Sequence, residues 1–224
     1  MKVLVLDLHR GEDLTETLKI SNALDKYTKT SLLRLFFSDF PCKKLSSYDG
    51  IVLTGSDDIK IYNDPKVKEL EHCLRELSTG RVNILGICGG NQVLASTFGY
   101  RRYRLREPEV GWHPIHLTER GKQDPLFNGL ESGFMASEYH ILAVICNDKN
   151  RILALNDNCP QAILYQPTVY GIQFHPEETP ESGLEFLRKT RRYGKIAHTF
   201  SRPKKYVEWR IFKNFVAMTK KLRE

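Results

Sequence analysis

The sequence predicts an α/β domain of three layers, with helices on both faces of a central, mostly parallel sheet that antiparallel strands extend. Three observations carry that expectation. Short runs rich in Val, Ile and Leu alternate with helical spacing through the first hundred residues. Glycine-rich segments follow two of those runs, at the carboxyl ends where a parallel sheet keeps its functional loops. From Tyr100 to Tyr170 the pattern changes to short strands separated by turn residues.

The first strand is expected over Lys2 to Asp7, a continuously apolar run of the kind buried on both faces of a parallel sheet. Helical spacing follows from Glu12 to Tyr27, then a second strand from Ser31 to Phe37 and a third from Gly50 to Leu53 that ends in Thr54-Gly55-Ser56. Proline at the first helical position starts a helix over Pro65 to Leu77. A fourth strand, Val82 to Ile87, leads into a helix that begins at Gly89. Later strands are expected at Val110 to Leu117, Gly133 to Ser137, Ile152 to Asn156, Gln161 to Tyr165 and Val169 to Phe174. The tail is read as a basic helical insertion at 179–206 followed by a C-terminal helix at 207–222, whose apolar positions Trp209, Phe212, Phe215 and Val216 share one face. All 224 residues are read as one domain.

Composition narrows the function classes. No stretch approaches the ~20 apolar residues of a membrane span, and the opening residues form a strand with an early acid rather than a secretory leader. Five scattered cysteines without CxxC spacing suggest reduced thiols rather than a disulfide framework or a zinc knuckle. A soluble, cytoplasmic protein is expected. The net charge of +7 concentrates at Arg101 to Arg106 and in the tail, yet no nucleic-acid-binding module accompanies it, so a solvated face or an acidic protein partner is the expectation rather than nucleic acid. His113 and His116, three apart in an expected strand, face opposite sides, and neither a metal nor a cofactor is expected.

The chemistry gathers at Gly86-Ile87-Cys88-Gly89-Gly90-Asn91-Gln92. A side chain at such a strand-to-helix elbow is held in a strained backbone conformation and projects above the sheet, while the flanking glycines let strand and helix approach. The helix N-terminus favours thiolate over thiol and offers N–H groups to an oxyanion. A lone cysteine is more often core; this setting makes Cys88 the candidate nucleophile. A nucleophile needs a base and the base an orienting group. His175-Pro176-Glu177 after a strand supplies both, because residues two apart in extended backbone point the same way and Glu177 can hold the His175 ring.

These residues resemble the class I (triad) glutamine amidotransferases, whose signature is GxCxGxQ followed much later by HPE after a strand. Asp49 to Gly55, Glu109-Val-Gly-Trp112 and Tyr170 to Glu177 stand in family-like order, closest in appearance to the amidotransferase component of GMP synthase and its uncharacterised relatives. The resemblance implies a flavodoxin-like fold, a Cys88, His175, Glu177 triad, an oxyanion hole from Gly89 and the Gly55-Ser56 loop, and glutamine binding assisted by Gln92. It implies L-glutamine as substrate, a γ-glutamyl thioester intermediate, and a separate ATP-dependent synthetase that uses the ammonia. Many relatives carry a serine-histidine pair where this chain reads Met135-Ala-Ser-Glu-Tyr-His140. Either Ser137 matches the serine and Glu138 replaces the histidine, or His140 is the match with altered spacing; all three are candidate donor-binding residues. The basic insertion at 179–206 is either a dock for a synthetase or nucleotide-bearing partner, or a solvated surface helix. Two other functions compete: a free-standing hydrolase of γ-glutamyl peptides or conjugates with the same triad, and a non-catalytic regulatory or binding protein.

Overall fold

Strand β1 (Val3–Asp7) is buried at every position, and its alternate side chains feed two separate cores. Val3 and Val5 pack toward one face of the sheet with Ile20 and Leu24 of α1 (Thr15–Asp25) and with Phe212 and Phe215 of the C-terminal helix. Leu4 and Leu6 pack toward the other with Leu70 and Leu74 of α3 (Pro65–Leu77) and Val93 of α4 (Gly89–Thr97). A period of two burying both faces is the signature of a strand between helical layers. The computed structural model describes residues 1–38, 42–80, 82–182, 206–207 and 209–224.

Nine strands form the sheet. One half is parallel: β2 (Thr30–Arg34), β1, β3 (Gly50–Leu53), β4 (Asn83–Ile87) and β9 (Val169–Ile172). The other half is antiparallel: β8 (Pro160–Gln166), β7 (Ile152–Leu155), β5 (Arg102–Leu117) and β6 (Gly133–Val144). Across the sheet the order is β2-β1-β3-β4-β9-β8-β7-β5-β6. This is the α/β architecture expected from the sequence, parallel at its centre and antiparallel beyond.

Two expectations need correction. The hairpin strands β5 and β6 are much longer than Val110 to Leu117 and Gly133 to Ser137. Charged residues at Arg102, Arg104 and Arg106 mask the β5 pattern, because one face of this hairpin is solvated, and a register shift between Arg104 and Glu109 breaks its alternation. The thiols are not all reduced either: Cys42, in the short helix α2 (Cys42–Leu45), is disulfide-bonded to Cys73 of α3. Their Cα atoms lie 5.4 Å apart, although 31 positions separate them in sequence, a proximity only the packing of α2 on α3 creates.

Helix α5 (Glu119–Lys122) follows β5, and α6 (Arg210–Lys221) closes the chain. Phe212, Phe215 and Val216 of α6 are buried, while Trp209 just before it is half-buried beneath the Lys26 ammonium. The basic insertion falls mainly on residues 183–205, which lie outside those described. Among the described residues no helix is long and apolar enough to cross a membrane.

Candidate active site

Strand β4 delivers Cys88 to the first residue beyond its carboxyl end, directly before α4. Its φ of 47° makes it the one non-glycine residue with positive φ among those described. Such a conformation costs of order 1–3 kcal/mol and persists only where the surroundings impose it. Here they do: the Cys88 N–H donates to the Ile172 carbonyl at 2.8 Å, and its carbonyl accepts from the Gln92 N–H at 3.1 Å. The turn can be this sharp because a Cβ on Gly86 would lie 2.6 Å from the Gly90 backbone. Cys88 Sγ rests 3.8 Å from the Tyr139 carbonyl and borders a cavity of about 340 Å³.

His175 enters the same cavity from the segment after β9. Its N–H donates to the Ser137 carbonyl at 2.8 Å, pinning that segment to β6. Nδ1 meets Glu177 Oε1 at 2.6 Å, while Nε2 is buried, with no well-aligned hydrogen bond among the described residues. Burial alone would lower the imidazole pKa, but the charges of Glu177 and Cys88 outweigh it and hold the pKa well above its ordinary value. Burial raises the Glu177 carboxyl, against the attraction of His175. The Cys88 thiol thus stands close enough to strengthen the imidazole's hold on a proton.

The loop after β3 stands over the elbow. A Cβ on Gly89 would lie 2.6 Å from the Ser56 backbone nitrogen, so these two residues are in direct apposition. The Gly55 N–H donates to Glu16 Oε1 at 2.6 Å. Glu16 in turn meets His9 Nε2 at 3.4 Å, and His9 Nδ1 meets the buried Asp7 at 2.7 Å. Burial would lower the His9 pKa, but Asp7 and Glu16 raise it to about 10. The charged chain therefore ties the end of β1 to the loop over Cys88. Sequence reading missed it, because His9 and Glu16 lie far from the cysteine motif and carry no spacing signal of their own.

The candidate donor-binding residues divide. Gln92 lines the cavity, yet its side-chain amide is held at both ends, accepting from Tyr62 Oη at 2.5 Å and donating to the Leu142 carbonyl at 3.0 Å. Ser137 and Tyr139 border a neighbouring smaller cavity that also reaches His175. Glu138 is fully buried and borders neither. It points instead to His140, whose Nε2 lies 3.1 Å from Glu138 and 3.0 Å from Glu109 while Nδ1 meets the Leu142 carbonyl at 3.0 Å. Burial would lower the His140 pKa, but the two carboxylates raise it to about 10. Glu109 drops to about 2, because hydrogen bonds from His140 and Asn158 outweigh its desolvation. Metal-ligand atoms of Glu109, His140 and Cys159 converge here, and those of Glu16, His175 and Glu177 converge near the elbow. In both clusters histidine faces carboxylate, so each carries its own balancing charge.

Fold and site together define an α/β protein with a cysteine elbow beside a histidine–glutamate pair. The chain belongs to the class I glutamine amidotransferase family, which it matches over residues 17–190. It is 33% identical over 113 residues to YfeJ of Salmonella typhimurium, described as glutamine amidotransferase-like, a match spanning 50% of this chain and 47% of that protein. It is 31% identical over 143 residues to one of the subunits of the glutamine-hydrolyzing GMP synthase of Methanococcus aeolicus, spanning 62% of this chain and 70% of the relative. The crystal structure of a glutamine amidotransferase from Methylobacillus flagellatus superposes with a TM-score of 0.74, covering 99% of this chain and 94% of that one at 16% identity, which is likeness of fold.

Proposed function

We propose that the chain hydrolyses the side-chain amide of glutamine and passes the ammonia to a separate synthetase. The observation that carries this reading is the strained Cys88 bordering the same cavity as His175, with Glu177 holding the imidazole at Nδ1. The Cys88 sulfur attacks the amide carbon, and the carbonyl oxygen takes the negative charge under the N–H groups of Gly89 and Ser56. The His175 imidazolium protonates the amide nitrogen, the C–N bond breaks and ammonia leaves a γ-glutamyl thioester. Water, deprotonated by His175, then attacks the thioester; glutamate departs and the proton returns the thiol–imidazole pair to its starting state. The raised proton affinity of His175 suits the acid half of this cycle. Gln92, locked by Tyr62 and Leu142, forms wall rather than an adjustable ligand.

A separate synthetase is proposed because a relative is, by its name, one part of a multi-subunit enzyme. An ATP-dependent acceptor and a role in nucleotide biosynthesis follow from that same likeness. Glutamate release from glutamine, measured with and without candidate synthetases, tests the proposal. Cys88→Ala is expected to lower the rate by at least about 10³-fold. Equal turnover in the variant overturns the assignment. The smaller cavity beside His175 leaves space for a leaving group larger than ammonia, which favours a second reading as a γ-glutamyl conjugate hydrolase. Release of amines from γ-glutamyl peptides with glutamine untouched decides for that reading.

A further inference from the structure

The Cys88 cavity has charges of opposite sign delivered by different elements. Glu16 of α1 and Asp57 of the loop after β3 supply carboxylates, and Arg104 of β5 supplies a guanidinium. Arg104 stands at the last paired position before the register shift of the β5–β6 hairpin, opposite Leu142, which also borders the cavity. Shifts of this kind re-aim side chains next to functional sites. Arg102, two residues earlier, is occupied: its guanidinium stacks 4.0 Å from the Tyr62 ring and donates to the Gln92 carbonyl at 3.3 Å. Arg104 is different. It is exposed and has no ion pair or side-chain hydrogen bond among the described residues. Glu138 does not border the cavity and is paired with His140 at 3.1 Å.

We propose that Arg104 is a specificity-determining residue that binds the α-carboxylate of the donor amino acid while its γ-amide lies at Cys88. A guanidinium presents paired N–H donors that match a carboxylate, and such charge-assisted bonds exceed neutral ones in strength. The carboxylate of Asp57 complements the donor's α-ammonium group, so the cavity as a whole fits a zwitterion. The donor class is therefore a γ-glutamyl compound with a free α-carboxylate. This inference rests on the proposed chemistry at Cys88.

Covalent labelling of Cys88 tests it independently of turnover. The probe is the chloroketone analogue of L-glutamine, in which the sulfur displaces chloride from the carbon beside the ketone; iodoacetamide, which loses iodide and carries no carboxylate, is the control. Both labels are located by peptide mass spectrometry. Arg104→Gln is expected to slow chloroketone labelling by about tenfold or more and leave iodoacetamide labelling within about twofold, with Arg104→Lys between. The α-carboxamide form of the chloroketone is expected to label wild type and Arg104→Gln equally slowly. Unchanged chloroketone labelling in Arg104→Gln overturns the proposal and leaves the Cys88 chemistry standing. A parallel loss with iodoacetamide also overturns it, since Arg104 then acts on the thiol rather than on the donor. Failure of the chloroketone to label wild-type Cys88 overturns the glutaminase reading itself, and this inference with it.

Discussion

Cys88 carries a backbone cost that its surroundings impose. At φ 47° any residue with a Cβ is strained, and glycine is not. Cys88→Gly is therefore expected to be more stable than Cys88→Ala by about 1 kcal/mol in denaturant melts, with both inactive. Equal stability would show that the surrounding hydrogen bonds, not the residue, set the conformation without strain. This residue was legible from sequence because its glycine neighbours announce the turn. The HPE segment was legible for a similar reason, since a two-residue offset suffices to bring Glu177 onto the His175 ring. Glu16, His9 and Arg104 were not, because each reaches the site from a remote element and nothing local marks it.

At the scale of elements, the site depends on how closely α4 approaches the sheet. A Cβ on Gly90 would lie 2.7 Å from both the Cβ and the carbonyl oxygen of Leu53 in β3, a contact that backbone cannot relieve cheaply. Gly90→Ala is expected to cost about 1–3 kcal/mol in urea unfolding and to slow alkylation of Cys88 by displacing the elbow. The parallel strands and α3 were readable because buried runs and a proline-started helix state their ends locally. The β5–β6 hairpin was not, since a two-stranded ribbon with one wet face tolerates arginines at alternate positions and its register shift erases the period. The Cys42–Cys73 bond was equally hidden, because it depends on the docking of α2 against α3.

Across the whole molecule, one buried cluster joins the antiparallel half. Glu109 of β5 accepts from Asn156 and Asn158 of the β7–β8 turn at 2.6 and 2.8 Å and from Gln161 of β8 at 3.0 Å, and it faces His140 of β6. Glu138, His113, Cys159, Tyr103 and, across the cavity, Cys88 and His175 are among its titratable surroundings. His140 is raised from 6.5 to about 10, so it binds its proton more tightly when folded; its stabilisation is full below about pH 6.5 and lost as pH rises toward 10. Glu109 has the opposite sign, its contribution being present above its unfolded pKa and lost as pH falls toward about 2. Thermal melts are expected to decline between pH 6.5 and 10, a window in which His9 also contributes. His140→Gln is expected to flatten part of that decline and to destabilise by about 3–5 kcal/mol near neutral pH, because two carboxylates lose their cation. An unaltered slope would exclude His140 from the effect.

The switch from parallel to antiparallel pairing occurs at β9, and Cys88 and His175 both stand beside that strand. The Cys88 and His175 positions are consequently insulated from drift in their periphery. The distal hairpin can lengthen, recharge or change contour while the Cys88 sulfur and the His175 ring keep their places beyond the carboxyl ends of the adjacent strands β4 and β9.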